Sequence, residues 1–152
     1  MSRVVPVAEP VKRGRKVELL TIRTPSRDYL SLRSILFHTN WLVHWVADLY
    51  EATIFLEDHA VPVVVCPRDL PDATWGELLD AVRRLPNPPN VLVYSDEADQ
   101  GFGIEVLNAG GYDLLPTPFQ RDEVLRAISV ACRAWHDGVR QRQTLGAAVM
   151  TA

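Results

Sequence analysis

The run Val61-Pro62-Val63-Val64-Val65-Cys66 limits this chain more than any other feature. It is apolar almost without a break and rich in valine, the mark of a strand buried on both faces. A strand buried in that way needs helices above and below it, and the flanking sequence supplies them. Val17 to Ile22 is another short apolar run, and Thr24-Pro25-Ser26 after it is a good helix start. Leu32, Ile35 and Leu36 then recur at helical spacing. Leu42 to Ala47 predicts a second strand, and Leu49, Ala52, Thr53 and Leu56 mark one helix face. Beyond the valine run, Leu70-Pro71-Asp72 makes a turn, and Trp75, Leu78, Leu79 and Val82 predict a third helix. Pro86, Pro88 and Pro89 break the chain before a strand over Asn90 to Ser95. A weaker helix covers Gln100 to Asn108 and ends at Ala109-Gly110-Gly111. Tyr112 to Leu115 predicts a fifth strand. Asp122 and Glu123 open a last helix with Leu125, Ile128, Cys132 and Trp135 on one face.

Five strands alternating with five helices imply a parallel sheet covered on both sides. Right-handed crossovers leave few arrangements, and the expected one is a flavodoxin-like (βα)5 three-layer sandwich with strand order 2-1-3-4-5. The functional crevice of such a sheet lies at the carboxyl ends of the strands, in the loops after Ile22, Cys66, Ser95 and Leu115. Residues 1–16 read as a flexible basic leader, 17–136 as the folded domain, and 137–152 as a frayed tail.

Charge and composition narrow the function. The leader carries Arg3, Lys12, Arg13, Arg15 and Lys16 against Glu9 alone, so the remainder of this chain of net charge −3 is distinctly acidic. An acidic body is a poor nucleic-acid surface, because binding phosphates requires clustered Lys and Arg. No apolar run is long enough to span a bilayer, and no signal peptide is evident. Cys66 and Cys132 sit in apolar periodic segments and are expected to be reduced core residues, which points to the cytoplasm. His38, His44, His59 and His136 show no ligand spacing, and Gly101-Phe102-Gly103 lacks a dinucleotide fingerprint. Of the tryptophans, Trp75 is the one expected to be exposed.

Ala109-Gly110-Gly111-Tyr112-Asp113-Leu114-Leu115-Pro116-Thr117-Pro118-Phe119 resembles, without a gap, the A-G-A-x-x-Y-x-x-K-P-F segment of bacterial response-regulator receiver domains. Val63 to Cys66, Leu70-Pro71 and Leu78-Leu79 resemble the same family's third strand, turn and third helix. The resemblance covers residues 17–136 and implies a CheY-like fold with a phosphorylation pocket. Residue by residue, it also implies that this pocket is degenerate. The phosphoacceptor aspartate, four residues before the turn proline, is matched by Pro67, which offers no nucleophile and no metal ligand. The paired acids that hold Mg²⁺ fall at Arg23 and Thr24, or at Thr24 and Pro25. The family's lysine aligns with Thr117 and its aromatic switch residue with Leu114, while the fourth-strand hydroxyl is kept as Ser95.

A relocated acceptor at Asp69 would sit on the outward side of the turn, with Asp28 a turn into the first helix and Asp96 better placed as a helix cap. Arg23, Arg27 and Arg68, with nearby hydroxyls, offer a rim for a small anion, against the plainer expectation that they are exposed and pair with Asp28, Asp69 or Asp96. The leading expectation is a non-enzymatic signalling module without cofactor or metal. It would bind a signalling or transcription-regulatory protein, or a second copy, through the fourth helix, fifth strand and fifth helix. A flavodoxin-like small-ligand protein and a phosphotransfer domain using Asp69 are the alternatives. The chain ends soon after the last helix, so output is expected to pass through a partner.

Overall fold

The computed structural model describes residues 17–96 and 100–151. The basic leader lies outside the described residues. In chain order the elements are β1 (Glu18–Ile22), α1 (Arg27–Phe37), β2 (Leu42–Val46), α2 (Leu49–Asp58), β3 (Val63–Pro67), α3 (Trp75–Val82), β4 (Asn90–Ser95), α4 (Gln100–Asn108), β5 (Asp113–Pro116) and α5 (Arg121–Thr151). The strands form one parallel sheet in the order β2-β1-β3-β4-β5, the arrangement expected from the sequence.

The period-2 alternation of the strands divides the core into two layers. On one face Leu19, Val63, Val65, Leu92 and Leu115 pack against Leu32 and Leu36 of α1 and Val124, Ile128 and Cys132 of α5. On the other, Leu20, Ile22, Val64, Cys66, Val91 and Val93 pack against Ala52 and Leu56 of α2, Leu78 and Val82 of α3, and Phe102 and Val106 of α4. All five β3 residues are buried, which is why their sequence carries no polar alternation. Both cysteines are buried, and burial pushes the Cys66 thiol up to about 12, so it is inert as a nucleophile near neutral pH.

Helix starts follow the capping residues. Ser26 Oγ accepts from the Tyr29 N–H at 3.1 Å, and Thr74 with Glu77 closes a capping box at α3. Asp48 caps α2 from within its own loop. Asp72, 22 to 23 residues away in sequence, adds two bonds there by accepting from the Leu49 and Tyr50 N–H groups. Gly110, at φ 101, ends α4 in the left-handed region that glycine tolerates best. Gly111 is required for space, since a Cβ there would sit 2.5 Å from Val106 Cγ1.

Two expectations need correction. The frayed tail at 137–152 is not observed, because α5 runs unbroken through Thr151 and its 31 residues extend for about 46 Å. The helix is held past residue 136 by contacts to the proline loop: Trp135 Nε1 donates to Pro88 O at 3.1 Å, and Arg142 donates to Asn87 Oδ1 at 3.1 Å. Trp75 is half-buried, its ring edge-on to Phe102 with centroids 5.4 Å apart. No helix among the described residues is long and apolar enough to cross a membrane.

Candidate functional site

At the carboxyl edge of the sheet the loops after β1, β3 and β4 enclose an open crevice of about 450 Å³. Thr24, Ser26 and Asp28 form one wall, Pro67, Arg68 and Asp69 another, and Tyr94, Ser95 and Asp96 the third. Strand register brings them together. Pro67 pairs with Tyr94, and the Arg68 N–H donates to Tyr94 O at 3.0 Å, so the ends of β3 and β4 remain zipped up to the crevice. Across the first wall, Thr24 Oγ1 and Ser26 Oγ share a hydrogen bond at 3.0 Å. Burial pushes the Tyr94 phenol well above its usual range, against the opposing pull of the Thr24 hydroxyl.

The sequence-derived site residues divide between inside and outside this space. Thr24, Pro67, Arg68, Ser95 and Asp69 line it. Asp69 is exposed on the β3–α3 turn, where its backbone bridges to Thr74, and its side borders the crevice. The three-arginine anion rim is not assembled. Arg23 turns toward β2, donating to Trp45 O at 3.4 Å, and Arg27 is exposed at the start of α1, outside the lining. Arg68 remains, with its guanidinium carbon 4.7 Å from the centre of the Phe102 ring. Asp28, Asp69 and Asp96 share the crevice lining with Arg68.

Thr117 lies outside the lining and is tied to β4 by its N–H, which donates to Ser95 O at 3.3 Å. Its side-chain oxygen is buried with no hydrogen-bond partner among the described residues, and the Thr117-Pro118 peptide is cis. Leu114 is half-buried and packs toward Gly103 of α4, where a Cβ would lie 3.7 Å from Leu114 Cδ2. Tyr94, with its ring edge-on to Phe119, was missed in the sequence reading because it sits inside an apolar strand run. The alternation of β4 could have signalled it.

No protein-family model matches the chain, and no curated protein matches it. Solved structures do. A signal receiver domain of an HD domain-containing protein from Pseudomonas fluorescens superposes with a TM-score of 0.73 at 20% identity, over 91% of this chain and 98% of that one. The fold is that of a response-regulator receiver domain. The receiver domain of a sensor histidine kinase from Pseudomonas aeruginosa, with magnesium coordinated in its active-site cleft, matches at TM-score 0.68 and 22% identity, over 78% of this chain and 98% of that one. A Saccharomyces cerevisiae response-regulator receiver domain, solved with a histidine phosphotransfer signalling protein, matches at 0.65 and 16%, over 75% and 87%.

A magnesium ion is not suited to the residues present here. The positions matched to the receiver pocket present an exposed arginine, a hydroxyl and a proline ring, none of them a carboxylate. Asp28, Asp69 and Asp96 border the same space, but among the described residues no three His, Cys, Asp or Glu side chains converge closely enough to hold a metal.

Proposed function

We propose that this receiver-fold chain is a degenerate, non-enzymatic signalling module of the cytoplasm. On this reading it takes no phosphoryl group and acts by binding another protein through α4, β5 and α5. The observation that carries the reading is Pro67. It lies buried at the end of β3, inside the crevice, at the position where the resemblance places the acceptor carboxylate. A saturated ring there has no lone pair to attack phosphorus and no oxygen for a hard cation.

The surface on the β5 side supports the second half of the proposal. Ile104 and Leu107 of α4 are more than half exposed, on the side of the helix opposite buried Phe102 and Val106. Exposed apolar side chains grouped on one helix suit the centre of an interface. The partner is a signalling or transcription-regulatory protein or a second copy of this chain.

The test is affinity capture from the native cell using wild type and an Ile104→Glu/Leu107→Glu double variant. Wild type is expected to retain a discrete partner in near-stoichiometric amount, and the variant to lose at least about tenfold of it with its melting temperature unchanged. Equal recovery by both proteins would remove α4 from the interface.

A further inference from the structure

A second surface lies at the opposite edge of the sheet, where β2 is the terminal strand. Its backbone pairing is one-sided. The Leu42 N–H donates to Val17 O and Val46 O accepts from the Arg23 N–H, so Leu42, His44 and Val46 turn their peptide groups toward β1. Val43 and Trp45 therefore turn theirs to the open edge, where the Trp45 carbonyl accepts from the Arg23 guanidinium at 3.4 Å. Beside that edge runs an open groove of about 640 Å³ between β2 and α1. Tyr29, Trp41 and Trp45 form its aromatic floor, with Tyr29 and Trp45 edge-on at 5.5 Å. Phe37 stands 81% exposed at its end, an unusual placement for a large apolar ring.

The charge in the groove is of one sign. Arg23 and Arg33 line it, no lining residue is acidic, and neither guanidinium forms an ion pair among the described residues. Native proteins blunt open edges with charge, but cations set beside aromatic rings and free strand amides also form a receptor for an extended anionic chain. We infer that the β2 edge and the Arg23–Arg33 groove bind an extended acidic peptide segment of a partner protein by strand addition. Its backbone pairs with Val43 and with the Trp45 N–H, its carboxylates meet the two arginines, and an apolar side chain rests on the tryptophans. The charge argument disfavours the other occupants. A second copy joined edge to edge brings a further arginine-lined groove against the first, and the chain's own leader is strongly basic.

The inference stands apart from the α4 surface and is tested separately, by titrating the isotope-labelled full chain with a capped octapeptide, Glu-Glu-Val-Phe-Glu-Glu-Val-Glu. Both faces of this peptide in extended form carry glutamate and an apolar side chain. The Val43 and Trp45 amide resonances are expected to shift and their hydrogen exchange to slow at least about tenfold. Arg23→Glu and Arg33→Glu are each expected to weaken binding about tenfold, while Ile104→Glu/Leu107→Glu leaves it intact. No binding at millimolar peptide, equal binding of the lysine-for-glutamate peptide, indifference to both arginine reversals, or self-association of the unliganded chain through β2 would each overturn the proposal.

Discussion

Leu92→Ala is expected to destabilise the protein by about 2–5 kcal/mol, a large fraction of the roughly 5–15 kcal/mol that holds a domain of this kind together. Leu92 is fully buried at the centre of β4, in the layer formed with Ile128 of α5 and Leu32 of α1. The strand on each side is fixed by parallel pairing, Leu92 with Val65 and with Asp113, so the backbone has little freedom to collapse into the void. Truncation therefore removes both the transfer free energy and the contacts around the resulting cavity. Leu107→Ala, on the exposed side of α4, is expected to change stability by no more than about 0.5 kcal/mol. Urea denaturation of the two variants measures the contrast. A loss below about 1 kcal/mol for Leu92→Ala would contradict the two-layer core.

Pro67→Asp, which restores the side chain that the family resemblance leads one to expect, is predicted to harm the protein rather than revive it. The new carboxylate enters a buried position with Asp28, Asp69 and Asp96 around the same crevice and Arg68 held over Phe102. Desolvation and like charge both raise its folded-state pKa above the unfolded value near 4. The sign follows directly. Below about pH 4 the group is protonated in both states and costs little; as the pH rises, the unfolded chain ionises first and gains stability. At pH 7 the expected loss is about 3 kcal/mol relative to wild type, shrinking on acidification. Millimolar Mg²⁺ is expected to leave the melting temperature of this variant unchanged. A magnesium-dependent rise would mean that the crevice carboxylates do converge on a cation.

Legibility varied with the range of the interactions. Each strand of the inner sheet buries both faces, so its composition alone identified it, and Ser26 marked a helix start through a bond only three residues long. Pro67 was readable because the Leu70-Pro71 turn fixes the count back to the end of β3. The tail was not, since the bonds that keep α5 helical past Trp135 reach 47 and 55 residues back to Pro88 and Asn87. Arg23 was placed at the right loop but with the wrong neighbours. Its side chain is drawn across to the Trp45 carbonyl on β2, a direction that no local pattern encodes.

The central claim is that this receiver fold has no phosphoacceptor chemistry. Intact-mass spectrometry after incubation with acetyl phosphate and Mg²⁺, quenched under conditions that preserve acyl phosphates, tests it most directly. The account predicts the unmodified mass alone. An adduct of one phosphoryl group that requires Mg²⁺ and maps to an aspartate, Asp69 above all, would contradict it.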